Sequence, residues 1–150
     1  MRVLIQRVIR AEIKVEKKVV GKILNGMLIL VGIEETDNIE DIKWLVNKTI
    51  NLRIFNDIDG VMNLSLKEVE GEILLVSQFT LMASTKKGNR PSYIRAANNE
   101  NAILLYDKFK EELEILTGKH VESGIFGADM KVSLINDGPV TILIDSKNRE

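Results

Sequence analysis

The sequence contains no cysteine and only one histidine, His120, and both scarcities exclude familiar kinds of catalysis. Without cysteine there is no thiolate nucleophile, no disulfide and no cysteine-based zinc site. A histidine triad or metal cluster would depend on His120 alone, and that residue follows a predicted helix end, where a solvated histidine is the ordinary case. An enzyme of this composition would have to work with hydroxyls, amides, carboxylates, backbone groups or its own substrate.

Long apolar runs and a strong excess of one charge are missing as well. The chain of 150 residues has a formal net charge of −1, so its overall charge does not indicate nucleic acid binding. No apolar run reaches the length of a membrane span, and charges at Arg2, Arg7 and Arg10 interrupt any signal-peptide core. We therefore expect one cytoplasmic domain over residues 1–150, without membrane association.

A basic segment at residues 84–99 departs from this balance. It contains Lys86, Lys87, Arg90 and Arg95 and has no acidic residue. Contact with nucleic acid phosphates is one interpretation of the segment, and an ordinary solvated loop is the other.

The hydrophobic periodicity predicts a mixed α/β domain. Apolar residues at helical spacing indicate one helix over about 38–51 and a second over about 99–116. Asp37, with Glu40 three residues later, is the predicted N-cap of the first helix, and Asp59-Gly60 is a candidate hairpin turn. Strands are predicted at 1–9, 11–20, 27–33, 72–82, 120–123, 130–136 and 140–145. This order of elements favours both helices on one side of the sheet system.

Polar side chains collect at the end of the predicted central strand, in the segment Ser77-Gln78-Phe79-Thr80-Leu81. Burying such groups without partners costs about 1–3 kcal/mol each, so they either bond to nearby backbone or face a ligand. The Thr80 hydroxyl would need a base to act as a nucleophile, and none lies nearby in the sequence. We favour an orienting role for Thr80, and the sequence leaves a nucleophilic role open.

The segment Asn136-Asp137-Gly138-Pro139-Val140-Thr141 separates the last two predicted strands. Asn-Asp-Gly alone would make a turn, and the proline removes a backbone donor where the next strand should begin. One interpretation is a stiffened turn. The other is a cis Gly138-Pro139 unit whose two carbonyl groups point to the same side and hold an ammonium group.

A third candidate is the segment Ser123–Met130, in which two glycines surround Phe126. Glycines so placed are typical of a loop whose backbone is approached closely by another group. Phe126 would then either stack on a nucleic acid base or anchor the loop in the core.

The segments Ser77–Leu81 and Asn136–Thr141 together resemble the two signature motifs of D-aminoacyl-tRNA deacylases. Further family-like stretches follow in the same order over nearly the whole chain: QRV at 6–8, LRIFND and DGVMNLS within 53–65, KGNRPSY at 87–93 and SGIFGADM at 123–130. The departures are small. AANNE at 96–100 replaces prolines common in the family, and GNRP at 88–91 is less basic than usual, but neither change touches the two signatures.

The resemblance implies layered β-sheets in a β/β/α arrangement, with two helices on one side, and a homodimeric enzyme. Its reaction would be hydrolysis of the ester between a D-amino acid, or glycine, and the 3′-terminal adenosine of tRNA. No cofactor or metal is implied, and the partner is tRNA and not DNA. The Gly138-Pro139 unit would be cis and would enter the partner subunit's active site, where its carbonyl groups bind the substrate's amino group and its bulk excludes an L side chain.

The resemblance also implies roles for single residues. The catalytic pocket would be lined by Ser77, Gln78, Phe79 and Thr80, with Phe79 near the scissile ester. The terminal adenosine would be held by Phe126, Ala128 and Met130, and Arg7 would brace the Gly138-Pro139 loop. Two alternatives stay open. One is a non-catalytic RNA-binding module that uses residues 84–95 and Phe126, and the other is a structural dimerisation domain whose Ser77–Leu81 segment is satisfied internally.

Overall fold

The fold is organised around one long first strand, in a computed structural model that describes all residues from 1 to 150. In chain order the elements are β1 (Arg2–Val15), β2 (Lys18–Ile23), β3 (Gly26–Gly32), α1 (Ile39–Asn51), β4 (Phe55–Asn56), β5 (Met62–Leu64), β6 (Glu72–Ser77), α2 (Asn99–Thr117), β7 (Glu122–Ser123) and β8 (Lys131–Asp145). A short 3-10 helix, Phe79–Met82, follows β6.

Strand β1 connects all parts of the main sheet. One of its edges pairs antiparallel with β3 along the first half and with β2 along the second half. Its other edge pairs antiparallel with β8 over almost the whole length. On the far side of β3, strands β6 and β7 continue the sheet in parallel. Strands β4 and β5 form a separate small hairpin, with its turn at Asp57–Gly60, as the sequence predicted.

The core has two parts, one on each face of β6. Ile73 and Leu75 belong to a cluster that also contains the buried faces of α1 and α2. Leu74 and Val76 belong to a second cluster, which the second half of β1 and strand β2 cover from the opposite side. The alternation of side chains along a strand produces this division, and it makes β6 the central strand that the sequence predicted. The prediction of a mixed α/β domain with both helices on one side is confirmed.

The beginning of α1 differs from the prediction by one residue. Asn38, not Asp37, is the N-cap, because its side chain accepts a hydrogen bond from the Glu40 amide at 2.8 Å. Its own amide donates to the Asp41 carboxylate at 3.0 Å, which completes a capping box. Asp37 is buried and accepts a hydrogen bond from the Met1 amino group at 2.5 Å. No helix of the structure has the length and apolar character needed to cross a membrane.

Predicted strand boundaries in two places, at residues 1–20 and at residues 72–82, are also wrong. The predicted strands at 1–9 and 11–20 form one strand to Val15, and the chain turns at Glu16 and Lys17, both of which have positive φ. The strand predicted at 72–82 ends at Ser77. The Gln78 amide still donates to the Val31 carbonyl at 2.7 Å, and the backbone then winds into the 3-10 helix.

The segment Asn136–Thr141 is not a turn. Thr141 lies opposite Gln6 and Asn136 lies opposite Val8, so the chain keeps the same antiparallel partner on both sides of the segment. Four residues, Asp137–Val140, therefore bulge outward against the single β1 residue Arg7. We call these four residues the β8 bulge. The prediction of two strands, 130–136 and 140–145, is therefore wrong. A turn between them would reverse the chain, whereas β8 continues in one direction along β1.

Candidate active site

A cleft with a volume of about 540 Å³ lies at the carboxyl ends of the parallel strands β3 and β6. Val31 lies near the end of β3 and Ile33 follows that strand, Ser77 ends β6, and Phe126 and Met130 come from the segment after β7. Most of the lining is apolar, with a small number of polar groups. Ligands of open α/β sheets bind at this edge, and small-molecule sites have this size and character.

The polar strand end meets this cleft. Ser77, Gln78 and Phe79 line it, and the Gln78 side-chain amide donates a hydrogen bond to the Thr80 hydroxyl at 2.5 Å. Because the Thr80 oxygen accepts this bond, its proton is available to a different acceptor. Thr80 is half-buried and lies beside the cleft residues without lining the cleft itself.

The 3-10 helix is placed by its contacts with β1 and β3. A Cβ atom at Gly32 would lie 2.8 Å from the Cβ of Leu81, so a glycine at this position allows the short helix to pack against β3. Arg2 donates to the Leu81 carbonyl at 3.0 Å and pairs with Asp145 at 2.7 Å. This role of Arg2 was not predicted, because the sequence carries no local signal for it.

Phe79 forms an aromatic contact at the rim of the cleft. Its ring packs edge-on against Tyr93, with 5.0 Å between ring centroids, and 58% of the residue remains exposed. Tyr93 belongs to the predicted basic segment, so this contact joins that segment to the strand end. Such a pair of rings is a suitable surface for a planar ligand.

The opposite wall of the cleft contains Phe126, Ala128 and Met130. Phe126 packs edge-on against Tyr106, with 5.7 Å between ring centroids, and also contacts the main core. The Tyr106 hydroxyl donates to the Leu75 carbonyl of β6 at 3.0 Å. Burial raises the pKa of Tyr106 above its usual range, so the hydroxyl stays protonated and keeps this bond. Phe126 is thus anchored by Tyr106 and still lines the cleft.

Arg7, which is only 6% exposed, holds the β8 bulge in place. Its guanidinium donates to the Asp137 carbonyl at 3.0 Å and pairs with the Asp137 carboxylate at 3.1 Å. It also donates to the Ile54 carbonyl at 2.6 Å and to the Asn56 side chain at 3.2 Å. One buried cation therefore fixes the bulge to the base of the β4–β5 hairpin.

The Asn136 side chain closes the bulge. It accepts from the Val140 amide at 2.7 Å and donates to the Val140 carbonyl at 3.1 Å, and so replaces bonds that the strand pairing cannot make there. Gly138 has a φ of 127°, and a Cβ atom on it would lie 2.9 Å from an Arg7 nitrogen. The Gly138-Pro139 peptide bond is cis, and both residues are exposed.

The structure brings the predicted site residues together in two separate groups. Ser77, Gln78 and Phe79 share the cleft with the Phe126–Met130 segment. Arg7 lies with the β8 bulge, none of whose residues lines the cleft. His120 is remote from both groups, with 71% of its side chain exposed and Glu114 as its neighbour at 3.1 Å, which confirms the prediction of a solvated histidine.

The fold and the cleft define an α/β protein whose polar strand end faces a cleft at the sheet edge. The family model for D-Tyr-tRNA(Tyr) deacylase matches residues 4–145. The chain therefore belongs to the D-Tyr-tRNA(Tyr) deacylase family, a family of hydrolases, and the resemblance inferred from the sequence motifs is confirmed.

Curated relatives and solved structures agree with this assignment. The chain is 65% identical to a D-aminoacyl-tRNA deacylase of Flavobacterium psychrophilum, with 100% of both chains covered. It is 61% identical to a D-aminoacyl-tRNA deacylase of Bacteroides fragilis, again with 100% of both covered. The solved structure of a c-Myc DNA unwinding element binding protein is 37% identical and has a TM-score of 0.91, over 97% of this chain and 98% of that one. The solved structure of a probable eukaryotic D-amino acid tRNA deacylase shares the fold. It is 21% identical and has a TM-score of 0.82, over 95% of this chain and 97% of that one.

Proposed function

We propose that the cleft hydrolyses the ester that joins a D-amino acid to the 3′-terminal adenosine of tRNA. The family and the names of its curated relatives support the reaction. The volume of about 540 Å³ suits a nucleoside with one amino acid attached. Phe126, Ala128 and Met130 form the wall assigned to the adenosine, and the strand end at Ser77–Thr80 is assigned to the ester. The substrate would place the activity in the cytoplasm.

The chemistry needs a positioned water and donors for the negative charge on the ester carbonyl oxygen. Water adds to the carbonyl carbon, the bond to the ribose 3′ oxygen breaks, and that oxygen takes up a proton. The amides of Phe79 and Thr80 begin the 3-10 helix and have no acceptor within it, so we assign them to the developing oxyanion. The adjacent ribose 2′-OH is the group that we expect to assist proton transfer, since the cleft has no histidine.

Thr80 is assigned an orienting role in this reaction. Its oxygen accepts a hydrogen bond from Gln78 at 2.5 Å, which lowers the availability of its lone pairs for attack. Its proton can then be donated to the substrate or to the attacking water. No base lies within hydrogen-bond distance of the Thr80 hydroxyl, as a threonine nucleophile would require.

We also propose a homodimer, in which the β8 bulge of one subunit reaches the cleft of the other. The observation that supports it is the separation of the two groups, because the exposed bulge does not line the cleft of its own subunit. Strand β8 is also an edge strand of 15 residues, and edges of this length are normally covered. Two exposed apolar residues on this strand, Ile135 and Leu143, lie outside the cleft lining.

Within such a dimer, selectivity for D-amino acids would come from exclusion. Substrates with different side chains need no common attractive pocket if a rigid backbone wall occupies the place of an L side chain. The Gly138-Pro139 unit is assigned to this wall, with its carbonyl groups as acceptors for the substrate's amino group. Glycine has no side chain to exclude, so glycyl-tRNA would be hydrolysed as well.

The test of the reaction is release of free amino acid from D-Tyr-tRNA and from L-Tyr-tRNA under identical conditions. We expect rapid release from the D ester and little from the L ester. Equal rates for the two esters, or no release from the D ester, would overturn the proposal. Binding of tRNA without any cleavage would favour the RNA-binding alternative.

The cross-subunit arrangement has its own test by complementation. Ala128→Trp fills the cleft of one subunit, and deletion of Gly138 and Pro139 removes the bulge tip of the other. A mixed dimer contains one subunit of each variant. If the bulge acts on the opposite subunit, the open cleft of the deletion variant meets the intact bulge of the Ala128→Trp variant, and one site works. If the bulge acts on its own subunit, neither site works. We expect the equimolar mixture to recover about one quarter of the wild-type activity, because about half of the dimers are mixed and each has one working site. No recovery in mixed dimers would contradict the arrangement, and so would a monomer by sedimentation.

A further inference from the structure

A loop at the rim of the cleft is not used by the proposed reaction. We call residues 84–92 the basic loop. Ser84 and Ser92 close its base through two backbone hydrogen bonds of 2.8 and 2.9 Å. The 3-10 helix with Phe79 precedes it almost directly, and the cleft-lining residues Ala96 and Ala97 follow it. Both ends of the basic loop are therefore continuous with the cleft.

The basic loop carries three cations that have no partner within the subunit. Lys86, Lys87 and Arg90 are all exposed, and none of them forms an ion pair. Arg95, just beyond the loop, differs because it pairs with Glu34 at 2.8 Å. No acidic residue occurs in residues 84–99, although the whole chain has a net charge of −1. The positive charge is thus local and uncompensated.

We propose that the basic loop binds the backbone phosphates of the double-helical acceptor end of tRNA. This inference depends on the proposed function, because the terminal adenosine in the cleft determines where the rest of the RNA emerges. A nucleic acid attached to that adenosine has to leave the cleft across its rim, and the rim at Tyr93 leads into the basic loop. Lysine and arginine that contact phosphates contribute affinity and register without distinguishing base sequence. The loop would therefore serve all tRNAs alike.

The experiment compares two triple variants with equal loss of charge. The first is Lys86→Gln, Lys87→Gln, Arg90→Gln in the basic loop. The control is Lys22→Gln, Lys67→Gln, Lys119→Gln, three lysines around the opposite end of β6, where Lys22 and Lys119 lie near Glu72. The probe for binding is an RNA hairpin with a single-stranded 3′ end, titrated at several salt concentrations. The probes for hydrolysis are D-Tyr-tRNA and the D-tyrosyl ester of adenosine, which lacks the RNA helix.

We expect the basic-loop variant to bind the hairpin about tenfold more weakly, with a slope of log K against log salt reduced by about 3. Its KM for D-Tyr-tRNA should rise by about the same factor, and its hydrolysis of the adenosine ester should equal that of the wild type. The control variant should keep the wild-type slope to within about 1.

Three results would overturn the inference: an unchanged slope in the basic-loop variant, an equal reduction in the control variant, or no hairpin binding by the wild type. Failure of the proposed function would be distinguishable from these results. In that case the wild type would cleave neither ester, while the hairpin titrations would still show whether the basic loop binds RNA.

Discussion

The cleft and the β8 bulge are held in place by different kinds of interaction. The cleft is built from the ends of packed strands and from neutral contacts, such as the Tyr106 hydroxyl on the Leu75 carbonyl. The bulge projects from an edge strand and depends on one buried cation, Arg7, and one amide, Asn136. The cleft should therefore tolerate the loss of a single contact, whereas the bulge should not.

The cleft and the bulge are therefore suited to different roles. A concave site with an apolar lining suits the binding of a nucleoside, and an exposed bulge with its backbone outward suits the exclusion of an unwanted side chain. In the proposed homodimer, the bulge of one subunit would complete the cleft of the other.

Arg7→Ala should have the largest effect, because it removes every contact of the buried guanidinium and leaves the Asp137 and Ile54 carbonyl groups without that donor. We expect the free energy of unfolding to fall by about 3 kcal/mol and the hydrolysis of D-Tyr-tRNA to be lost. Urea denaturation measures the first quantity. Arg10→Ala is the matched control, since Arg10 is exposed and should change stability by no more than about 0.5 kcal/mol. A loss below about 1 kcal/mol for Arg7→Ala would show that the bulge has other supports.

Pro139→Ala should alter selectivity and leave the fold intact. Pro139 is exposed and belongs to neither core cluster, so we expect the variant to fold with both core clusters intact. The ratio of hydrolysis rates for D-Tyr-tRNA and L-Tyr-tRNA should fall about thirtyfold, which corresponds to about 2 kcal/mol of discrimination. Pro91→Ala, at the other of the chain's two prolines, should leave that ratio unchanged, because both esters carry the same tRNA. Full selectivity in the Pro139→Ala variant would remove the bulge from the selectivity mechanism.

Thr80→Ala should lower kcat about tenfold, because the variant loses one orienting hydrogen bond. Thr80→Ser keeps the hydroxyl and should stay close to the wild type. Single-turnover release of the amino acid from D-Tyr-tRNA measures both variants. A decrease of several orders of magnitude in the alanine variant, with activity retained by serine, would instead identify Thr80 as the nucleophile.

Tyr106→Phe should have the smallest effect. The Leu75 carbonyl that loses the phenol donor keeps a second hydrogen bond from the Gly124 amide at 3.1 Å. We therefore expect a loss of stability of about 1 kcal/mol or less in urea denaturation, and a nearly unchanged KM. A loss above about 2 kcal/mol would show that the cleft, like the bulge, depends on a single contact.

Local sequence patterns predicted a large part of this fold. The apolar spacing identified both helices to within one or two residues, and the run of residues 73–76 identified the central strand. The collection of polar groups at Ser77–Thr80 was also visible, because three hydrogen-bonding side chains are unusual at the end of so apolar a strand. These features depend on residues close together in the chain.

Features that depend on distant partners were missed or misplaced. Asp37 has the local spacing of an N-cap, but its partner is the Met1 amino group, 36 positions away. Arg2 supports the 3-10 helix through Leu81, and Tyr93 packs on Phe79 across the rim of the cleft. Neither contact has a period or a motif that would reveal it.

The sequence by itself determined the helices, the central strand, the polar strand end and, through its two motifs, the family. The tertiary structure alone decided what the segment Asn136–Thr141 is. Asn-Asp-Gly-Pro has the composition of a turn, yet strand pairing is a contact between distant residues, and β1 offers a partner on both sides of the segment. Continued pairing with β1 outweighs the local preference to reverse, so the chain forms an exposed bulge above Arg7 and not a hairpin.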